Sequence, residues 1–338
     1  MPLSRLGAPA LPVSAESRYR FRFTVLTVVV TVALMAWGGL VTSIDAGLAV
    51  PDWPTSFGSM DPFATGYEDP SDPSARWWHH LPILAEHGHR LLGALVGLLT
   101  LILAGWTWFR DDRRWMRRLG LGVLALVIFQ GILGGLRVTE VSLTLAMVHA
   151  CTAQIFFALL VAMALFTSAA WRHGGGSVPA TAGGRRLRHR ALATAIAIYL
   201  QIVLGALLRH FGTGIDPFFA GIHIGGAVAV VGLIGMTVYL VRRHAGGAPL
   251  VRRAGAVLLG TVGVQFALGL MAFAVLLFET QAGRRSLVQI VLNSAHLIVG
   301  AVLLAAAVCL VLLSRRPAPA RPPVSPAVGT PALASTAS

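Results

Sequence analysis

The stretch FTVLTVVVTVALMAWGGLV, residues 23–41, is nineteen residues long and carries no charge. A bilayer core about 30 Å thick needs roughly 20 apolar residues of helix to cross it. The stretch therefore predicts a transmembrane helix. It is longer than a signal-peptide core and 22 residues precede it, so it reads as an uncleaved span. Seven further apolar runs follow, at 86–109, 119–137, 143–170, 191–209, 218–241, 254–278 and 287–313. Eight spans predict an all-α polytopic membrane protein. Composition agrees: 56% of the 338 residues are hydrophobic and 12% are charged, where soluble domains carry about 25% charged residues. The net charge of +14 does not indicate nucleic acid, because the basic residues are all arginines clustered between apolar runs. Cys151 and Cys309 both lie inside such runs and offer no disulfide framework.

The arginines set an orientation. The N-terminal segment, the 110–118, 172–190 and 242–253 connections and the C-terminal tail hold 21 of the 27 arginines but only 3 of the 13 acids. The positive-inside rule makes these segments, and both termini, cytoplasmic. The Pro/Ala/Ser-rich stretch 314–338 reads as a disordered tail.

A short signature recurs along the chain. Gln130-x-x-Leu133-Gly134, Gln201-x-x-Leu204-Gly205 and Gln265-x-x-Leu268-Gly269 occupy the third, fifth and seventh spans. The first span keeps Gly38-Gly39, with Leu34 in place of glutamine. Each signature precedes an outer loop and then a span with a histidine near its start: His89, His149, His223 and His296. Grouping the four units in pairs predicts two pseudo-symmetric four-helix bundles, 23–170 and 191–313, joined by a 171–190 cytoplasmic linker; residues 1–22 precede them. The glycines read most simply as helix-packing positions, since small residues let membrane helices approach. The role of the buried glutamines stays open.

An ionisable residue inside a membrane helix points to function. Each of the four histidines is followed at i+4 by a small residue: Gly93, Ala153, Ala227 and Gly300. That spacing leaves a shallow face beneath the imidazole and suits a flat macrocycle whose iron the imidazole ligates. Two facing histidines per half make two haem sites. Polar packing and proton relay are the simpler readings of any one such histidine, and the fourfold repetition favours ligands. The halves differ at one place. Glu86 lies three residues before His89 and so on its face, whereas Ala146, Ala220 and Asn293 occupy the matching positions. Glu86 is thus a candidate catalytic carboxylate, with an i,i+4 ion pair to Arg90 as the structural alternative. Arg90, Arg137 and Arg209 lie at outer helix ends, as propionate partners or as ordinary interfacial arginines.

The chain resembles the haem A synthase family. The residues carrying the resemblance are Gly38-Gly39-Leu40-Val41-Thr42, Gly47-Leu48-Ala49-Val50-Pro51-Asp52-Trp53-Pro54, Glu86-His87-Gly88-His89-Arg90 and Gln130-Gly131-Ile132-Leu133-Gly134-Gly135 with His149. The Gln201 motif with Arg209-His210 and His223, and Gln265 with His296, complete it. The Pro-Asp-Trp-Pro loop combined with the E-x-x-H-R helix start is the specific part. The resemblance extends over all eight spans, 23–313. It implies oxidation of the C8 methyl group of haem O, by successive hydroxylations, to the formyl group of haem A for cytochrome oxidase. It implies substrate haem on His89 and His149, a haem b cofactor on His223 and His296, and Glu86 as catalytic acid. One departure stands out. Many bacterial members carry two cysteines in the first outer loop, where this chain has Val50 and Ser56, so a loop disulfide is not expected. The long acidic 42–85 loop reads as a cap over the substrate site, a docking element or a solvated spacer.

The implied location is the cell membrane, with the haem sites toward the outer face. The implied partners are haem O, the haem O synthase supplying it, an electron donor and the lipid bilayer, without nucleic acid; self-association into a homo-oligomer stays open. A di-haem b electron-transfer cytochrome would use the same four histidines, though it has no need of Glu86. A membrane transporter would explain the repeated halves, though not the four histidines.

Overall fold

The computed structural model describes residues 15–63, 65–69, 71–72, 74–173, 176–211, 216–279 and 286–316. The helices are α1 (Ala15–Ser43), α2 (Leu81–Arg110), α3 (Arg114–Thr139), α4 (Leu143–Thr167), the short α5 (Ala169–His173), α6 (Ala182–Phe211), α7 (Pro217–His244), α8 (Pro249–Glu279) and α9 (Leu287–Ser314). All but α5 are long and apolar enough to cross a membrane. Most of the tail expected to be disordered, 317–338, lies outside the described residues, as do residues 1–14.

Each half closes on itself. In the first, α1 packs on α2, α2 on α3, α3 on α4 and α4 back on α1; α6, α7, α8 and α9 repeat the ring. The halves meet through α1, α4, α6 and α9. Lipid tails are as apolar as leucine, so packing and polar satisfaction hold such bundles together. Leu103, Met116, Leu160 and Met163 fill the first half, and Leu187, Ile198, Ile234, Leu258 and Leu310 fill the second. Backbone groups in lipid must be satisfied internally, and buried hydroxyls follow the same rule. Thr24 and Thr31 donate to the carbonyls of Arg20 and Thr27, one turn back, at 2.8 and 2.7 Å. Thr194 and Thr237 bond to each other between α6 and α7 at 2.8 Å.

The helices outrun the apolar stretches that revealed them. α1 begins by Ala15, α2 at Leu81 and α6 at Ala182, each several residues before its predicted start. Hydropathy measures the hydrocarbon layer, whereas a helix continues into the headgroups where arginines extend their heads to water. The 171–190 segment is correspondingly more than a linker. It contains the end of α5 and the first two turns of α6, and its Val178 is 2% exposed. Gly176 takes a φ of +79° and presses on Gly247, where a Cβ would meet the carbonyl oxygen at 1.6 Å; only glycine fits.

At the face shared by the N-terminus of α1 and the C-terminus of α9, Asp111 is buried and holds two arginines. Arg113 pairs with it through Nε and Nη2 at 2.9 and 2.8 Å, and Arg20 of α1 approaches to 3.1 Å. Burial alone would raise the Asp111 carboxyl, but the Arg113 hydrogen bonds and the two cations outweigh it and hold its pKa below the ordinary value.

Candidate functional site

The four histidine-bearing helices start at the opposite face. Ser142, Asp216 and Ser286 cap α4, α7 and α9, accepting from Leu145 N, from Phe218 and Phe219 N, and from Gln289 N. Pro82 occupies the first turn of α2. His89, His149, His223 and His296 follow two to three turns inside, on helices that stand diagonally across their rings: α2 from α4, and α7 from α9.

Each imidazole lies against a glycine of the preceding helix. A Cβ added at Gly38 would come 2.9 Å from His89 Cε1, at Gly134 3.4 Å from His149, at Gly205 2.9 Å from His223 and at Gly269 3.1 Å from His296. The sequence reading treats these glycines as helix-packing positions; the structure shows what they pack against. They cradle the rings: at Gly38 and Gly205 a larger side chain would push the imidazole away, at Gly269 it would crowd it, and at Gly134 it would just touch it. Of the small residues at i+4, Gly93 faces open space, as expected for a shallow face, but Gly300 faces the Gln265 amide at 3.3 Å.

In the second half the His223 and His296 rings lie with centroids 6.4 Å apart and their planes at 74°. Metal–imidazole bonds of about 2 Å on both sides of one metal ion place two ring centroids roughly 6 Å apart. In the first half His89 and His149 lie on the corresponding diagonal helices, α2 and α4. All four side chains keep partial exposure, so the ring centres are not packed shut. His89, His149 and His296 also reach toward the backbones of Leu34, Gln130 and Gln265, one turn before the glycines. None of these contacts closes into a well-formed hydrogen bond, and all three Nδ1 atoms are buried without a partner. Paired imidazoles, glycine cradles and orphaned ring nitrogens fit a haem held from both sides. Among the described residues no three His, Cys, Asp or Glu side chains gather into a metal-binding cluster.

The glutamines divide by half. Gln201 donates through Nε2 to the His223 carbonyl at 2.7 Å and touches Nδ1 at 3.0 Å. Gln265 Nε2 lies 3.1 Å from His296 Nε2. Gln130, in the first half, bonds Thr152 instead. Amide O and N ends are interchangeable assignments, and the Oε1 atoms of Gln201 and Gln265 are buried without partners. The His223 carbonyl at 2.7 Å requires the donor end of the Gln201 amide, so that bond orients the amide and sets it beside the ring.

Glu86 is 5% exposed, and both its oxygens are engaged: Oε2 accepts from Val50 N at 2.9 Å and Oε1 from Arg90 Nη2 at 3.0 Å. The i,i+4 ion pair held open in the sequence is therefore present. Arg90 also donates to the carbonyls of Asp52, Thr55 and Val50 at 2.7, 3.0 and 3.0 Å. This differs from a propionate clamp: the Arg90 Nη donors are committed to the first outer loop. Arg137 donates to the Gly47 carbonyl at 2.8 Å, and Arg209 to Ser43 Oγ at 2.9 Å. All three arginines thus converge on the end of α1 and the loop after it. A guanidinium has five N–H donors, so Arg137 retains donors for a carboxylate.

The loop is folded, not a solvated spacer. Asp52 accepts from Thr55 Oγ1, Phe57 N and Gly58 N. Burial is the largest single influence and raises its carboxyl, but these bonds together prevail and hold its pKa below the ordinary 3.8. Ser56 Oγ lies 3.0 Å from His87 Nδ1, and His87 Nε2 lies 2.9 Å from the Pro62 carbonyl. His87 points away from His89 as the helix turn predicts, but its role in holding the loop had no sequence signal beyond proximity. Trp53 covers Gly135, where a Cβ would meet its ring at 2.3 Å. Asp69 pairs with His80 at 3.1 Å.

Residues 21–217 match the model of the COX15-CtaA family, described as cytochrome oxidase assembly protein. The chain belongs to the COX15-CtaA family. The match to this cytochrome oxidase assembly family takes in Glu86, His89 and His149 and ends before His223 and His296, a shorter reach than the eight-span resemblance. Similar proteins include those named Heme A synthase from Methylobacterium sp. (strain 4-46), 32% identical over 60% of this chain and 61% of that protein, and from Symbiobacterium thermophilum, 32% identical over 55% and 57%. Another, from Lysinibacillus sphaericus (strain C3-41), is 27% identical over 58% and 59%. The chain thus matches about three fifths of the length of these curated relatives.

Proposed function

We propose that this COX15-CtaA family member is a haem A synthase that oxidises the C8 methyl group of haem O to a formyl group. Haem O is the substrate, in the first half between His89 and His149. Haem b is the cofactor, in the second half between His223 and His296. The observation that carries the reading is the fourfold glycine–imidazole cradle, with the His223 and His296 rings close together in the second half, in a chain whose relatives bear the name Heme A synthase.

When bound, haem b supplies one-electron chemistry. The remaining roles belong to the chain. His89 and His149 hold the substrate haem across the ring. Trp53 and the folded loop exclude water from its outer edge, and Arg137 offers donors to an acidic edge group. Each hydroxylation exchanges a C–H bond for C–OH and balances with one dioxygen, two electrons from a donor and two protons, releasing one water: the first gives the alcohol, and the second a hydrated aldehyde that loses water. Glu86, beside His89 in register and linked to the loop through Val50 N, positions the loop over the substrate and exchanges protons at its Oε atoms. The arginine distribution supports cytoplasmic termini and outward-facing haem sites. A haem O synthase and an electron donor are the partners this chemistry requires.

The test is the haem content of the chain purified from cells that make haem O. Haem b together with haem A is expected. Haem b alone, with no haem O or haem A, would favour the di-haem electron-transfer cytochrome. Glu86→Gln is expected to retain haem b while lowering haem A at least a hundredfold, the lower range for a lost acid–base group; unchanged haem A would remove Glu86 from the chemistry. A cysteine placed at Asp61 should react with an impermeant label in intact cells, and labelling only after lysis would reverse the orientation.

A further inference from the structure

On the face opposite the histidines, a cavity of about 700 Å³ opens between the start of α6, the end of α9 and the 177–180 strap. Arg185, Arg188, His189, Arg315 and Arg316 line it, and no carboxylate does so among the described residues. Like charges gathered around one space repel, so four arginines at one cavity make it favourable ground for an anion.

The cavity is built rather than accidental. Arg188 is pinned by Nε to the Ser314 carbonyl at 3.0 Å and by Nη2 to the Val178 carbonyl at 2.7 Å, which ties α6, α9 and the strap together. The strap is fixed in turn by buried Val178 and by the Gly176 contact with Gly247. Its depth is also marked. The Arg316 guanidinium sits 5.8 Å over the Trp171 ring, and tryptophan concentrates at the headgroup level of a bilayer. A basic pocket between helix ends at that depth suits a phosphate carried by a lipid.

We propose that this cavity binds the phosphate headgroup of an anionic phospholipid, and so clamps the α6–α9 seam and the strap leading into it, on the side opposite the haem sites. Arg185, Arg315 and Arg316 supply charge around the phosphate. Arg188 shapes the floor while holding α9 to α6. The inference uses no haem contact and stands apart from the enzymatic reading.

The experiment uses the full chain in nanodiscs of phosphatidylcholine titrated with phosphatidylglycerol, with retained lipid counted by native mass spectrometry. Each arginine near a lipid surface contributes about a fivefold gain in affinity, so Arg185→Gln with Arg315→Gln should weaken phosphatidylglycerol retention roughly thirtyfold. The control pair Arg242→Gln with Arg243→Gln lies on the same face outside the cavity and should change it little. Arg315 is exposed at a helix end, so Arg315→Gln alone keeps the test readable if the double variant fails to fold, with about a fivefold loss expected. Equal losses in the cavity and control pairs would overturn the site. Displacement of the lipid by millimolar inorganic phosphate would overturn the lipid assignment in favour of a soluble anion.

Discussion

The two halves share a scaffold and differ in what their polar side chains hold. In the second half, glutamine amides touch both imidazoles: Gln201 at His223 and Gln265 at His296. In the first half, Leu34 replaces one glutamine and Gln130 turns to Thr152. The first half invests its polar groups elsewhere, in the loop held by Glu86, Arg90, His87 and Arg137. Fixed ligands suit a resident cofactor. Ligands left to the macrocycle itself, beneath a loop gripped from its edge, suit a molecule that enters and leaves. Duplicated helices thus diverge through a few polar side chains, while the apolar packing is retained.

The sharpest way to break this contrast is to remove one ligand from each half. His223→Ala or His296→Ala should abolish the stable b-type absorption spectrum, whereas His89→Ala should leave most of it and stop haem A formation. Full haem b in both second-half variants would end the assignment. A finer cut compares the glutamines. Partners that orient a metal-ligating histidine are worth about 10- to 100-fold in affinity, so Gln201→Leu should release haem b that much more readily and shift its reduction potential. Gln130→Leu should do neither, and equal effects would erase the distinction between the halves.

The smallest effect concerns the loop. The Asp52 pKa is depressed from 3.8, so its ionised form is the one that the folded loop favours. Its contribution is present above the unfolded value and is lost as pH falls through the lower folded value. Protease cleavage in the 52–63 segment should therefore be slow at neutral pH and rise only in acid below the ordinary aspartate range. Asp52→Asn should be cleaved faster at neutral pH, with a weaker acid dependence. An unchanged profile would show that Arg90 and Glu86 hold the loop unaided.

The eight spans and the halves were legible because hydropathy and the Gln-x-x-Leu-Gly repeat are local signals. The four histidines were legible because they recur at one place in each unit. What the glycines face was not. A small residue on a membrane helix reads as helix packing, and only the fold shows that Gly38, Gly134, Gly205 and Gly269 each meet an imidazole. The task of Arg90 was equally hidden. Its partners are backbone carbonyls 35 to 40 residues away, and carbonyls leave no mark in sequence. Extended helix starts such as 182–190 escaped for a third reason: arginine-rich turns read as loops when apolarity defines the helix.

The cradles also bear on how the chain assembles as it enters the membrane. Every glycine meets the histidine of the very next spanning helix, so each contact belongs to one helical hairpin: α1–α2, α3–α4, α6–α7 and α8–α9. Closing a loop between neighbouring helices costs little entropy, and the cost grows only slowly with length even for the long α1–α2 loop; within each hairpin the imidazole already has a neighbour that shields it from lipid. Four self-sufficient hairpins can therefore be delivered one after another. Facing histidines, by contrast, always come from two different hairpins, so a ligand held by both would act as the rivet between segments inserted separately.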